Sequence, residues 1–560
     1  MIKRKKDNNL LKTVKPILLC IVVIIIGLFF MSKKEDLDFD EVGTFGLANN
    51  TFQLDIEDFK EYKGEELLLK YASVKDGEEF NISNVFFNQE MDTHPPLYYL
   101  VLNFLCSIRK GTFSMWYGLI INLLYMVVLF FELKYLFNLV IKDEKTSIVL
   151  SLLSFFTYGF INEIVFIRMY VQLSILSMGF AILVINKINS IIDNKKADLT
   201  NNIDNNNDKT IKKSYSENDF KFLIKFFVIC VLGILTQYHF VIVAFYFSLV
   251  LAIFLIHRKE FRLLLETLVV GIMSIITSLI IFPGIINHLF GRSSLHALNG
   301  QRIDTLSTRF YEILMTITRA FFGVGIYPYI VILFIILIIS LFSAIKNKET
   351  IKQLIANNIW YFIILLCAIY YYVIISLTVT FTFARYLYNI YPLIVISIMA
   401  PIYLLFKSIN HNLKYLSIVV LIVLAFTSIV KEEPFSLNMG QNMFYEFLTN
   451  NKDTKILALY RSIDKNGRND TMNTSLWKIQ RPLYTFRSME SISFVDISKN
   501  EDILYREDSR IANNEKLFLV IYTGENDDEI LGGLMSNNGF SVVDRVIRTT
   551  YYNMYQLLKQ

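Results

Sequence analysis

Charge is what this 560-residue sequence has least of. Asp, Glu, Lys and Arg make up 19% of it and hydrophobic residues 54%, whereas charged residues supply about 25% of an ordinary soluble domain. A soluble chain with that balance could not cover its own surface, so a simple cytosolic enzyme is excluded and a polytopic membrane protein is expected. Glycine (22) and proline (9) are sparse, which excludes a collagen-like or low-complexity chain. The four cysteines, Cys20, Cys106, Cys230 and Cys367, lie in apolar runs without CxxC spacing. They read as small core hydrophobes, so neither a metal cluster nor a redox compartment follows from them. No Gly-rich phosphate fingerprint occurs, since Gly532-Gly533 falls inside a helical pattern. The net charge is only +5, and the lysines cluster in loops as the positive-inside rule requires, so no nucleic-acid partner is implied.

What is present is a series of apolar runs. Residues 1–31 give a basic N-terminus and a first span from Pro16 to Met31, followed by Ser32-Lys33-Lys34-Glu35 rather than a small-residue cleavage site; an uncleaved span with its N-terminus inside is expected. Residues 32–115 form a first external loop. Within it the Pro95–Ile108 stretch is too short to span and is expected to lie at the interface. Residues 116–430 form the membrane region, with further spans at 116–136, 146–160, 170–187, 221–238, 239–256, 263–285, 328–345, 358–380, 387–406 and 415–430. The segment 188–220 is rich in Asn, Asp and Lys and reads as a disordered cytoplasmic insert; 286–327 reads as an external loop. The expectation is a polytopic α-helical membrane protein of about 11 spans. Its tail, 431–560, carries short alternating or apolar runs at Lys455–Tyr460, Ser491–Ile497, Lys516–Tyr522 and Ser541–Tyr552, with a helical pattern at Glu529–Met535. That makes it a small extracytoplasmic α/β domain.

Charged residues are nearly absent from the middles of the spans. Glu132, Lys225 and Glu266 lie near span ends, so the midplane relay of an ion-coupled transporter is missing. The candidates for chemistry lie instead at outer span ends. Asp38-Phe39-Asp40-Glu41 groups carboxylates that can share a metal or divide acid and base roles, and it contains a literal DxD; a solvated acidic loop is the alternative. Asp92-Thr93-His94-Pro95-Pro96-Leu97-Tyr98-Tyr99 sets a His before a proline-started helix, whose N-terminal amides favour an anion; an interfacial anchor is the alternative. Arg168, in the short external connection Asn162–Tyr170, could hold a lipid phosphate as a bidentate donor, or could snorkel or pair with Glu163. Tyr238-His239 and Arg385-Tyr386 invite the same two readings. Arg292, Arg302 and Arg309 are weaker phosphate candidates. An outer surface has no cytosolic nucleotide, which leaves a lipid phosphate as the activated donor.

Asp40-Glu41 after the first span, the string His94-Pro95-Pro96-Leu97-Tyr98-Tyr99, and Arg168-Met169-Tyr170 together resemble membrane glycosyltransferases of the protein O-mannosyltransferase-like superfamily, with the GT-C fold. The resemblance covers roughly residues 15–430. It implies inverting sugar transfer from a polyprenyl-phosphate donor at the outer face of the cell membrane, with Asp40 as the catalytic acid/base. Related aminoarabinose transferases carry Lys before the Pro-Pro pair, where this chain has His94. The expected mechanism gives Asp40 the acceptor proton, gives Glu41 an orienting role, and gives the phosphate to Arg168 with His94 or Arg385 helping; Asp92, Tyr170, Tyr238 and His239 support. Asp40, Asp92 and His94 as a divalent-metal site is one alternative there, and a carboxylate–His hydrogen bond fits equally well. The acceptor (protein, glycan, polymer or lipid) is open. A transporter or lipid flippase, or a membrane anchor presenting residues 431–560, are the competing functional classes.

Overall fold

The computed structural model describes residues 2–50, 54–204, 217–290, 306–322, 358–379, 383–410, 412–431, 434–438, 441–463, 478–480, 482–522, 527–549 and 552–559. In chain order the elements are α1 (Ile2–Met31), α2 (Phe39–Asn49), β1 (Glu61–Tyr62), α3 (Gly64–Ala72), α4 (Ile82–Met91), α5 (Leu97–Ile108) and α6 (Trp116–Ile141). There follow α7 (Glu144–Ser154), α8 (Tyr158–Val165), α9 (Tyr170–Asp204), α10 (Glu217–Thr236), α11 (Phe240–His257), α12 (Phe261–Ile281), α13 (Gly284–Phe290), α14 (Leu306–Phe322) and α15 (Ile359–Thr378). A 3-10 turn at Ala384–Ile390 precedes α16 (Tyr391–Ile409) and α17 (Leu413–Lys431). The tail holds α18 (Gln441–Asn450), β2 (Lys455–Tyr460), a 3-10 turn at Thr485–Ser488, β3 (Ile492–Asp496), α19 (Ser509–Ala512), β4 (Lys516–Ile521), α20 (Asp527–Asn538), β5 (Phe540–Arg548) and β6 (Asn553–Lys559).

The chain divides into two compact units. One comprises Met1–Ser32, Thr93–Tyr98 and Gly118–Phe435; the other comprises Lys33–Asp92, Tyr99–Tyr117 and Ser436–Gln560.

The first unit is helical. Among the described residues, eight helices of the chain are long and apolar enough to cross a membrane, or nine if the bent pair α7–α8 counts as one span. α10 occupies the expected span 221–238 but opens with Asp219, Lys221 and Lys225, while the expected span 328–345 lies outside the described residues. The α7–α8 pair bends by 67°. Its cause is readable: Ser147, Ser151 and Ser154 each donate a hydroxyl to the carbonyl four residues back, at 2.7–2.8 Å, and such back-bonding bends helices. The amides at the break are satisfied locally, Phe155 N by Leu152 O and Thr157 N by Ser154 O, which lets the backbone leave the helix inside an apolar unit. α8 then runs to Val165, so Asn162 and Glu163, read from sequence as part of an external connection, are helical and buried. α9 continues through Asp204, well into the segment 188–220 for which disorder was expected; residues 205–216 lie outside the described residues. Part of the expected external loop 286–327 is helix α14, and residues 291–305 of it are not described.

The second unit joins the first loop to the tail. Its six-stranded sheet has the order β1-β3-β2-β4-β6-β5. β3, β2 and β4 are parallel, and β1, β6 and β5 are added antiparallel. KILALY and KLFLVI are buried at every position but the first, as parallel strands covered on both faces must be. β6 was not anticipated; the run at Ser541–Tyr552 turns back at Thr549, whose N–H donates to Tyr552 O at 3.0 Å. β1 comes from the first loop and pairs Glu61 with Ser493 and Tyr62 with Ile492. Asp58 fixes the same loop at the far end of β3, accepting from Asp496 N at 3.0 Å and Asn500 Nδ2 at 2.9 Å. α3 lies against the Thr485–Ser488 turn because its first residue is glycine: a Cβ at Gly64 would stand 1.9 Å from Phe486 O. α5 has 12 residues, too few to span, and exposes Phe104 and Ile108.

Candidate active site

The carboxylate cluster resolves into different roles at the start of α2. Asp38 is the N-cap: its Oδ1 accepts Asp40 N at 3.0 Å, while Glu41 reaches back to accept Asp38 N at 2.7 Å. This is a capping box, and it accounts for the DxD spacing without a metal or a nucleotide. Glu41 is fully buried and forms an ion pair with Lys34 at 2.9 Å, both side chains being 0% exposed. Lys34 also donates to Ser436 O at 2.5 Å. Glu41, expected to orient Asp40 or the acceptor, is held in a cap and a buried ion pair at the start of α2. Asp40 stands between the two, half-buried in the first turn, where the helix dipole favours a carboxylate. Thr44 Oγ1 donates to Asp40 O at 2.7 Å and steadies that turn. Just upstream, Asp36 accepts from Leu37 N at 2.7 Å and Thr485 Oγ1 at 2.8 Å; burial raises its pKa against the lowering pull of those donors, Arg487 and Lys34. Asp92 ends α4, its N–H donating to Asn88 O at 2.9 Å, and its charge acts on Tyr71. Tyr71 in turn donates to Gln480 Oε1 at 2.5 Å.

The cations and aromatic residues gather in the helical unit, at three places where backbone leaves a helix. The first is the link between α8 and α9. Asn122 of α6 donates to Ile164 O at 3.1 Å and Phe166 O at 2.8 Å, satisfying the end of α8. Gly118 lets the link approach α6, since a Cβ there would stand 2.1 Å from Ile167 Cγ2. Arg168 is thereby held, 5% exposed. Glu163, the ion-pair partner considered for it, accepts instead from Ser174 Oγ at 2.5 Å. Tyr170 stacks on Phe166 at 6.0 Å and meets Tyr388 edge-on at 5.5 Å. The second place is the turn between α10 and α11. There Tyr238 N donates to Gln237 Oε1 at 2.7 Å, and Tyr238 Oη bonds His288 Nδ1 at 2.6 Å. The third is the 3-10 turn before α16. Arg385 lies over the rings of Phe383 and Tyr386, at 4.4 and 5.9 Å. Tyr386 meets the His239 ring edge-on at 5.6 Å, and Asn389 Nδ2 donates to His239 O at 3.5 Å. His94 lies near enough to His239 for the two imidazoles to act on each other electrostatically.

The structure thus gathers the expected residues in two groups, Asp40, Glu41 and Asp92 in one unit and His94, Arg168, Tyr170, Tyr238, His239 and Arg385 in the other. Among the described residues, no group of three or more His, Cys, Asp or Glu side chains is arranged to hold a metal ion. Arg309 donates to Val379 O at 2.8 Å and so caps the C-terminal end of α15 rather than reading as a phosphate anchor; Arg292 and Arg302 lie outside the described residues. Sequence reasoning missed Lys34, His288, Tyr388 and Asn389. Of these only Lys34 carried a signal, as a lysine next to an acidic run.

No protein-family model matches the chain. No curated protein matches it either. Two solved structures are similar to it over nearly their whole length. One is ArnT from Cupriavidus metallidurans bound to undecaprenyl phosphate, at 9% identity and TM-score 0.47, covering 96% of this chain and 97% of that one. The other is the same protein in the apo state, at 10% identity and TM-score 0.44, covering 97% and 98%.

Proposed function

We propose that the protein is an integral membrane glycosyltransferase of the GT-C kind, moving a sugar from a polyprenyl-phosphate donor to an acceptor at the outer face of the cell membrane. The observation that carries this reading is Arg168, a guanidinium buried in an apolar helical unit in the link between α8 and α9. Ionisable groups in such a setting mark functional sites, and a fixed fork of donors suits a lipid phosphate. The donor class is the lipid named for the ArnT structure, but the proposal rests on this chain's own residues.

The roles follow from charge. Arg168, with Arg385 and His94, holds the donor phosphate, and Tyr170, Tyr238 and His239 shape the wall around it. The acceptor hydroxyl attacks the anomeric carbon as Asp40 takes its proton. One bond forms, from acceptor oxygen to sugar, and one breaks, from sugar to phosphate oxygen, in a single displacement that inverts the anomeric centre. Polyprenyl phosphate leaves with an added negative charge, which the fixed cations stabilise more in the transition state than in the ground state.

Membranes supplied with a polyprenyl-phosphate sugar should release free polyprenyl phosphate, and Asp40→Asn should lower that turnover by about 10²–10⁴ while donor binding persists. Full turnover in Asp40→Asn would remove the general base and this mechanism with it.

A further inference from the structure

The second unit contains a cavity of about 650 Å³, within the range of about 300–1,000 Å³ usual for small-molecule sites. Its wall is aromatic and polar: Phe113, Trp116, Tyr445 and Tyr484, with Glu65 and Arg487. Arg487 packs against Tyr445 and Tyr484, its guanidinium carbon 3.8 and 3.9 Å from the ring centres. It donates one hydrogen bond, from Nη1 to Tyr484 O at 2.5 Å. No carboxylate among the described residues forms an ion pair with it. Asp36, the acid it acts on electrostatically, is buried. The rings hold the guanidinium in place, and they carry no charge that would pair with it.

These features select a ligand. Flat rings accept the apolar faces of a sugar, Glu65 offers hydrogen bonds to hydroxyls, and a guanidinium with no ion-pair partner among the described residues asks for a carboxylate or phosphate. A second cavity of about 500 Å³ shares Glu65, Leu69 and Gly111 with the first, so the two run on along α3 and have room for more than one residue of a linear chain. Lys63, Lys70 and Lys75 stand there beside Glu66 and Asp76, a mixture that favours neither sign; anion selection belongs to Arg487. The cavity also adjoins α2, which bears Asp40: Phe45 of α2 meets the wall residue Phe113 edge-on at 4.9 Å. We infer that this cavity is an acceptor subsite that takes an anionic saccharide, a uronate or phosphate-bearing sugar, an inference that rests on the transferase reading above for its acceptor role.

The test uses the full chain in detergent, titrated with short oligogalacturonate, with its neutral methyl ester, and with a glycerol-phosphate oligomer. Calorimetry and tryptophan fluorescence report binding. Oligogalacturonate should bind at least tenfold more tightly than its ester, and the glycerol-phosphate oligomer separates carboxylate from phosphate preference. Arg487→Gln should weaken the charged ligand about tenfold or more and Arg487→Lys less. Thr112→Trp, at the exposed rim, should block binding without disturbing the packed wall. Equal affinity for acid and ester, or unchanged affinity in both Arg487→Gln and Thr112→Trp, overturns the subsite. Displacement of oligogalacturonate by phosphatidylglycerol vesicles overturns it in favour of a lipid headgroup. Release of polyprenyl phosphate, followed in the same preparation, separates the two proposals. Turnover without saccharide binding removes the subsite alone, and saccharide binding without turnover removes the transferase and the acceptor role together.

Discussion

Glu41→Gln separates a positioning role from a chemical one. The ion pair between Glu41 and Lys34 is 2.9 Å long with both side chains at 0% exposure. At an effective dielectric constant of about 20, its gross attraction is ~6 kcal/mol, most of which offsets the cost of desolvating two ions. Glutamine keeps the shape and can still accept Asp38 N in the capping box. It leaves the Lys34 ammonium buried with Ser436 O as its remaining bond described here. Removing one partner of a buried pair costs about 3–5 kcal/mol, so thermal unfolding of the purified protein should move down by several degrees and turnover should fall with the folded fraction. Lys34→Met combined with Glu41→Leu removes both charges and should recover most of that loss, because apolar replacement of a buried pair is often neutral. The measurements are unfolding temperature and turnover per folded molecule. If Glu41→Gln unfolds with wild-type stability yet loses turnover, Glu41 acts on the substrate and the positioning role assigned to it is wrong.

The other expectations are briefer. Arg168→Ala should weaken donor binding by about 10–100-fold, the worth of charged hydrogen bonds of about 1.5–3 kcal/mol, and Arg168→Lys should recover part of it; equal donor affinity in wild type and Arg168→Ala would take Arg168 out of the phosphate site. Asp38→Ala should cost about 0.5–2 kcal/mol through the lost N-cap while Asp38→Asn costs little; a dead Asp38→Asn would restore a chemical reading of the DxD. Asp36 and Asp496 should give opposite pH effects. Burial raises Asp36, so its folded form holds a proton that the unfolded chain has released, and stability falls as pH climbs from 3.8 through the raised value. Asp36→Asn should remove that fall. Burial also pushes Asp496 upward, but the hydroxyls and amides of Ser462 and Ser498 outweigh it and hold the group below 3.8. Its contribution is present at neutral pH and disappears as pH drops through the lowered value, and Asp496→Asn should destabilise at pH 7 and lose its effect in acid. Unfolding curves across pH that show the same sign for both variants would refute the assignment.

Much of the fold is legible in the sequence because the apolar runs are long and the parallel strands are buried throughout. KILALY and KLFLVI can be little else when bounded by polar turns. Other features are not legible, and each has a physical reason. β1 is two residues long, and its strand character exists only through pairing with β3, which no local pattern announces. The α7–α8 break follows from serine back-bonds that compete with helix hydrogen bonds; serine in an apolar run reads equally well as ordinary helix. Glu41 illustrates the limit at the site itself. Its spacing from Asp38 fits a capping box and its adjacency to Asp40 fits a catalytic pair, while the burial of Lys34 against it carries no local signal in the sequence.

The positions of the cations follow from the same constraint that builds the helical unit. In an apolar medium a chain can leave its helix only where side chains of the protein take up the freed backbone groups. Asn122 does this at the end of α8 and Gln237 between α10 and α11, where Asn389 also donates to His239 O; in the turn before α16 the hydroxyls of Tyr371 and Ser174 donate to Tyr386 O and Tyr388 O. Arg168 stands at the first of those places and Arg385 at the third, with the His239 imidazole at the second. A side chain emerging from a helix junction lies on neither of its neighbours' lateral surfaces, so it can remain buried in protein instead of facing lipid. A junction thus allows a guanidinium to be held rigidly at low exposure, which snorkelling from a helix flank would not. The side chains that satisfy the junctions and the two guanidinium groups are therefore parts of one arrangement, and in the proposed function the Arg168 and Arg385 junctions are where the donor phosphate meets a fixed charge.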